Sequence, residues 1–357
     1  MEGTRRYARA RRRRARLTVM WSVIGVIVLG VVGFSAGAAT GLIPIFATPT
    51  PWSSAESPTP APPTTTPQVP EPPATSTAPE PSPTPPPPVA CAAGTTMSVM
   101  AHYDDDLIFA NPAITNAIAN GQCVRTVFVT AGDAGSGMTY ATSRETGILR
   151  AYDVLRGVDG EWTEEHLVLG TGLPVTRFTP ADDPDIAVTF IRLPDGNISG
   201  QGFEATGWES LSRLYGQTID VMHTVDTATP VSLDLLKQSI GELITAAHPT
   251  ALITLVPGWS WVSHRDHSDH STVGSLVRDS AQAAGLSVDV MRYATGYGNK
   301  DKPANVTGDL LDLKLRAFFE YTKYDHVMKC DTPVACLDIK MFGHSLEREY
   351  FLTDGEL

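Results

Sequence analysis

The sequence predicts an α/β domain over residues 89–357, with a mainly parallel sheet covered by helices on both faces. Apolar runs of strand length alternate there with helix-length amphipathic stretches, the pattern of a parallel sheet. The domain has about 270 residues, enough for one large core. The first quarter of the chain cannot join that core, because its composition is basic, then uniformly apolar, then proline-rich.

The elements follow in order. Residues 96–101 read as a buried strand ending at His102, and residues 111–120 as a helix stopped by Gly121. Residues 124–130 form a second strand, followed by a tight loop over 131–135, and residues 144–155 form a helix. The middle is strand-rich, with short runs at 167–169 and 186–193, the latter ended by Pro194-Asp195-Gly196. Residues 233–247 make an amphipathic helix, 251–256 a strand, 270–284 a helix, 288–293 a strand and 310–324 a helix. In such sheets ligands sit beyond the C-terminal ends of the strands, so chemistry is expected in the residues that follow each strand.

Ahead of the domain, residues 1–16 hold eight arginines and one acid, and residues 17–55 hold no charge. The apolar run 17–39 is long enough to cross about 30 Å of hydrocarbon as a helix. The arginines before it place the N-terminus in the cytoplasm and the rest outside. The expectation is a single-pass signal anchor in the cell membrane. The competing reading is a secreted chain released by cleavage near Ala36-Gly37-Ala38. Residues 40–88 read as a disordered Pro/Thr/Ser-rich linker: 17 of the 28 prolines lie between Thr48 and Pro88, and the segment has almost nothing apolar to bury. The net charge is -12, and the chain after residue 16 sums to -19. So acidic a domain has no excess of Lys and Arg to neutralise phosphates, which argues against a nucleic-acid partner. All four cysteines lie in the exported part, where an even count suggests two disulfides. Three pairings exist. Cys330 and Cys336 are close enough to close a small loop, which leaves Cys91 for Cys123.

Two clusters carry the chemistry. Ala101-His102-Tyr103-Asp104-Asp105-Asp106 follows the first strand, and Ser263-His264-Arg265-Asp266-His267-Ser268-Asp269-His270 follows the strand that ends near Val256. Imidazoles and carboxylates gathered at one end of a sheet suit a hydrolytic zinc site of two His, one carboxylate and an open water position. Another carboxylate, off the metal, can then take a proton. Either segment alone could be bland: an acidic turn capping a helix, or a solvated His-rich loop. The functional reading rests on both, each after an apolar strand. No GxSxG nucleophile elbow and no phosphate loop is present.

The two motifs resemble the PIG-L/LmbE-like family of zinc-dependent N-acetyl-sugar deacetylases, marked by AHPDDE after the first strand and a later HPDH. Here they read His102-Tyr103-Asp104-Asp105-Asp106 and His267-Ser268-Asp269-His270. The second strand with its glycine loop, Arg144-Glu145 with Ala151, and Gly274 after His270 extend the likeness over about 97–351. The resemblance implies a Rossmann-like three-layer fold and a metal site of His102, Asp105 and His270 holding Zn2+, or another divalent metal. It implies that Asp104 is the general base, that His267 stabilises the oxyanion and aids departure of the amine, and that Asp269 orients His267. It further implies an N-acetylated sugar or glycoconjugate substrate, with Arg144 binding a hydroxyl or phosphate and Tyr103, in place of the usual Pro, lining the site. Asp106 replaces Glu, and its role stays open. The register His264-Arg265-Asp266-His267 also fits HxDH, but only the later one precedes the small-residue helix start 271–274. Tyr140, Trp162, Trp208, Trp259 and Trp261 are candidates for stacking on sugar faces, Trp259 and Trp261 being the better pair. The expected activity is extracellular deacetylation. The alternatives are a non-catalytic carbohydrate-binding envelope protein on the same fold and a hydrolase of another N-acyl amide.

Overall fold

The computed structural model describes residues 91–259 and 266–357. The expected basic tail, apolar run and linker lie outside the described residues, as do His264 and Trp261. Among the described residues no helix is long and apolar enough to cross a membrane.

The strands are β1 (Thr95–Met100), β2 (Cys123–Thr130), β3 (Trp162–Val168), β4 (Pro174–Pro180), β5 (Ile186–Leu193), β6 (Val221–His223), β7 (Pro230–Ser232), β8 (Ala251–Leu255), β9 (Met291–Ala294) and β10 (Phe351–Leu352). Eight of them form one sheet in the order β10-β9-β8-β1-β2-β5-β4-β3, and β6 with β7 makes a separate hairpin. The five central strands pair in parallel, while β10, β4 and β3 are antiparallel additions. Every residue of β1 and of β5 is buried. Successive side chains of a strand point to opposite faces, so both faces of the sheet are covered there. The mainly parallel α/β reading therefore holds.

The helices are α1 (Asp105–Phe109), α2 (Ala113–Ala119), α3 (Met138–Arg156), α4 (Leu211–Tyr215), α5 (Leu233–Ala247), α6 (Ser268–Ala283) and α7 (Gly308–Thr322). Helices α3 and α7 pack on each other, as do α5 and α6. The buried Lys314 of α7 ties elements together, its Nζ donating to the carbonyls of Ile108 (2.8 Å), Asn111 (2.7 Å) and Arg348 (3.2 Å).

Several boundaries differ from the sequence reading, each for a physical reason. The run at 167–169 is the end of a longer hairpin, β3–β4. Its edge strand β3 is mostly exposed and polar, so it carries little apolar signal, as edge strands commonly do. Helix α3 starts at Met138, six residues before Arg144, right after the left-handed Gly137. Helix α6 starts at Ser268, which makes His267 its N-cap. The stretch 288–290 is a 3-10 turn, and strand β9 begins only at Met291. Both expected disulfides are present: Cys91–Cys123 ties the entry of β1 to the start of β2, and Cys330–Cys336 closes its short loop.

Strand β1 has β2 on one side and β8 on the other. The chain runs outward from β1 through β2 and β5, then returns to build β8 and β9 on the opposite flank. This is a topological switch point, where loops leaving adjacent strands diverge and open a crevice. Helix α6 reaches that crevice because Gly274 lets it lie directly on the end of β8. A Cβ at Gly274 would press into the carbonyl oxygen of Leu255 and come within 2.8 Å of the Val256 carbonyl carbon. Gly274→Ala is therefore expected to destabilise the domain by about 1–3 kcal/mol through overpacking, and to weaken divalent-cation binding because His270 lies one turn earlier on the same helix. Chemical denaturation together with metal titration checks both; unchanged values in both would contradict this packing account.

Candidate functional site

The first cluster is delivered by the end of β1. The chain turns at His102, whose backbone N–H donates to Asp105 Oδ2 at 2.7 Å. Asp104 occupies the N-cap position of α1 but makes no capping hydrogen bond. The helix-capping explanation of these acids therefore fails, and the Asp104 carboxylate is committed elsewhere. The second cluster follows β8, the parallel neighbour of β1. There His267 caps α6, its ring Nδ1 accepting the Asp269 N–H at 3.1 Å, and His270 lies in the first turn.

The two segments meet. His102 Nδ1 lies 3.2 Å from His270 Nε2 and 3.4 Å from Asp105 Oδ2, and His270 Nε2 lies 3.0 Å from Asp105 Oδ1. Donors about 2.0–2.1 Å from a tetrahedral cation sit roughly 3.3–3.4 Å apart. The two imidazole nitrogens thus have the spacing of neighbouring ligands in such a site, each with one Asp105 oxygen beside it, and all three side chains are buried. The far nitrogen of each imidazole faces a carboxylate: Asp269 Oδ2 lies 3.3 Å from His102 Nε2, and Asp266 Oδ1 lies 2.8 Å from His270 Nδ1. Carboxylates behind ligating histidines fix the tautomer and raise ligand basicity. The donor set fits a divalent metal. Asp266 Oδ1 also accepts the backbone N–H groups of His267 (2.9 Å) and Tyr297 (3.2 Å), so it is rigidly held.

The local field is strongly negative. Burial works against a charge on His270, yet Asp105 and Asp266 outweigh it and lift the imidazole to about 10. Burial likewise opposes ionisation of Asp105, but His270 and His102 hold it well below the usual carboxylate range. Asp104 is pushed up to about 6 by burial, with Arg144 opposing. His267 is driven far down by burial and by its two histidine neighbours, so it is neutral.

Three expectations are corrected by this geometry. Asp269 backs His102 rather than His267: its Oδ2 is 3.9 Å from His267 Nδ1 and accepts the Gly196 N–H at 2.8 Å, because the first turn of α6 aims the carboxylate at β1. Arg144 does not face a substrate. It is buried, with Nη2 donating to Asp104 Oδ1 (2.9 Å), Nε to Tyr321 OH (2.6 Å) and beside Asp325 Oδ2 (3.2 Å), and Nη1 to the Gly132 carbonyl. Gly132, at φ +52°, leaves room for the guanidinium that a Cβ would fill. Tyr103 points into the core, fully buried, edge-on to Phe128 and Phe190, with its hydroxyl donating to Glu145 Oε1. Glu145 pairs with Arg192 rather than Arg144, and Asp106 accepts from Tyr152 OH at 2.8 Å, away from the donors.

Sequence reasoning missed Asp195, Asp133, Asp266 and Asp325. Asp195 follows β5, where the register against β2 shifts and Arg192 takes φ +65°. Its carboxylate reaches within 3.9 Å of His102 Nε2 and 4.0 Å of His267 Nε2. Asp266 lay within the second cluster, but it precedes the N-cap of α6, so no helical spacing pointed it at His270. Asp325 had no local signal.

Residues 97–281 match the family described as PIG-L: GlcNAc-PI de-N-acetylase, just over half of the chain. No curated protein matches significantly. Similar solved structures include a conserved protein from Thermus thermophilus, with 15% identity, 64% of this chain and 78% of that chain covered, and a TM-score of 0.38. An N,N'-diacetylchitobiose deacetylase from Pyrococcus horikoshii has 15% identity, 65% and 70% coverage and a TM-score of 0.36. A deacetylase of teicoplanin biosynthesis has 14% identity, 66% and 85% coverage and a TM-score of 0.40.

Removing a carboxylate behind a ligating imidazole should loosen the cation without unfolding the chain. Asp266→Asn is expected to lower divalent-metal affinity roughly 10–100-fold, read by competition with a chelator, while the thermal midpoint of the metal-free protein stays close to wild type. Wild-type affinity would mean that Asp266 does not support a ligand.

Proposed function

We propose, from the premise that this chain belongs to the PIG-L family, that it is a metal-dependent amidohydrolase removing the acetyl group from an N-acetylated amino sugar or glycoconjugate. One observation carries the reading: two imidazoles and a carboxylate from separate segments meet at a shared point, with the Asp104 carboxylate beside them and not bonded to them.

His102, Asp105 and His270 would hold the cation, zinc being the expectation. Such an ion supplies Lewis acidity toward an amide carbonyl and acidifies a water. Asp104 takes the proton of the attacking water. Burial raises its proton affinity, and Arg144 fixes its Oδ1. His267 is neutral and accepts the Asp269 N–H at Nδ1, so its proton sits on Nε2. That N–H can donate a hydrogen bond to the oxyanion, and the proton taken up by Asp104 passes to the departing nitrogen. The water oxygen bonds to the acetyl carbon, the carbon–nitrogen bond breaks, and acetate and a free amine leave.

The same proposal places the domain outside the cell, tethered by residues 17–39 as a single-pass anchor and carried on the 40–88 linker. Its support is the arginine cluster, the uncharged run and the prolines. Extraction of the full chain only by detergent, with the domain open to added protease on intact cells, is the expected behaviour. A soluble chain beginning near residue 39 would instead mean a cleaved signal.

Asp104→Asn should lower acetate release about 10²–10⁴-fold with bound metal unchanged, and chelation should abolish activity until a divalent ion is restored. An unaltered rate in Asp104→Asn would remove Asp104 as the base. Because Arg144 acts through Asp104, Arg144→Met should reduce kcat with KM nearly unchanged, measured over a substrate series; a rise in KM alone would return Arg144 to substrate contact.

A further inference from the structure

Asp104 is held by a chain of contacts that ends in an exposed, disulfide-closed segment. Arg144 fixes Asp104 Oδ1, and Asp325 stands beside the same guanidinium, its Oδ2 3.2 Å from Arg144 Nε. Both oxygens of Asp325 are committed. Oδ2 also accepts Tyr321 OH at 2.8 Å, while Oδ1 accepts Tyr140 OH at 2.7 Å and the N–H groups of Val327 (2.7 Å) and Met328 (3.1 Å). Its position therefore depends on the turn that follows α7.

Burial anchors that turn only weakly. From His326 to Ala335 only Met328 is buried, and Val327 and Val334 are 64% and 66% exposed. A segment with so little apolar burial opens locally at small cost. Its second anchor is covalent: Cys330 is bonded to Cys336, which is fully buried in the 3-10 turn Val334–Asp338 packed on α7. Cys330 Sγ lies 3.5 Å from Thr322 Oγ1 in the last turn of α7, so the bridge draws the segment back onto the helix that carries Tyr321. Cys91–Cys123, in contrast, lies where β1 and β2 begin, at the opposite end of the sheet from the donor cluster.

We propose that the Cys330–Cys336 bridge sets the catalytic base. Closed, it seats Asp325 against Arg144 and so orients Asp104; reduced, it frees the turn, and the chain keeps its fold and its cation but hydrolyses poorly. Asp325 is thus a positioning residue, and the domain reaches full activity only in a compartment oxidising enough to close the bridge. The proposal rests on the deacetylase reading, and the test separates the two.

Acetate release by the zinc-loaded full chain, from N-acetylglucosamine and its β-1,4-linked oligomers, is measured before and after reduction with a water-soluble phosphine. Each phosphine gives two electrons to the disulfide and takes an oxygen from water, whose two protons complete the two thiols. Reduction of Cys330–Cys336, located by alkylation and mass spectrometry, is expected to lower kcat roughly tenfold or more with KM and zinc content nearly unchanged, because a misaligned base costs rate rather than binding. Cys330→Ser with Cys336→Ser, and separately Asp325→Asn, should match that loss. All three substitutions together should lose no more than either set alone, since they break one chain of contacts. Cys91→Ser with Cys123→Ser should lower the thermal midpoint and leave kcat near wild type. Proton exchange at Arg144 Nε and at the amides of Val327 and Met328, followed by NMR, should accelerate on reduction. An undiminished kcat or unchanged exchange at Arg144 after reduction, losses that multiply in the combined variant, or an equal loss on removing Cys91–Cys123 overturns the brace and leaves deacetylation standing. Faster exchange at Arg144 on reduction, in a wild type that releases no acetate, keeps the brace and overturns deacetylation.

Discussion

Everything at this site depends on burying several carboxylates and imidazoles together at one end of a parallel sheet. Isolated buried charges are strongly disfavoured, so each must be matched by hydrogen bonds and opposite charge. The chain meets that demand in two layers. Asp105 lies between His102 and His270, and these are backed by Asp269 and Asp266. The layer thus carries more negative groups than positive ones, an imbalance that a divalent cation corrects. Asp104 is handled separately, matched to Arg144, which keeps it near the donors yet outside them.

The Arg144 clamp shows how far the supporting structure reaches. Arg144 comes from α3, Gly132 from the loop after β2, Tyr321 from α7 and Asp325 from the turn that follows it. Asp325 is itself held by Tyr140 and Tyr321 and by the N–H groups of Val327 and Met328. Two of these partners lie beyond residue 281, so the orientation of Asp104 draws on the C-terminal part of the domain. Tyr297, whose N–H fixes Asp266 and whose ring lies 5.1 Å from His270, comes from the same part.

Beside this centre, the excursion between β5 and α5 carries α4 and the β6–β7 hairpin. It brings Asp195 beside His102 and His267, and it borders a cavity of about 590 Å³. The division suits a fold in which strands and helix starts position the reacting groups while a connecting segment shapes what fits next to them.

Much was legible in the chain because the information was local. Apolar strands betray themselves by composition, and His102, Asp105 and His270 each sit at the end of one, or at the helix start that follows it. Asp266 was visible only as a member of the second cluster, since it precedes the N-cap of α6. The edge strand β3 was not, since its exposed polar residues carry no burial signal. Where long side chains turn was not legible either. Arg144 and Tyr103 read as surface for a substrate, yet both are buried, because at those positions the core offered partners from α7, from Glu145 and from aromatic rings of β2 and β5. The sequence by itself determined the fold class, the two disulfides and the residues that gather at the crevice. Only the tertiary structure decided which carboxylate stands behind which imidazole and what holds Asp104, because those choices are made between atoms far apart in the chain, by packing and charge balance that no local pattern encodes.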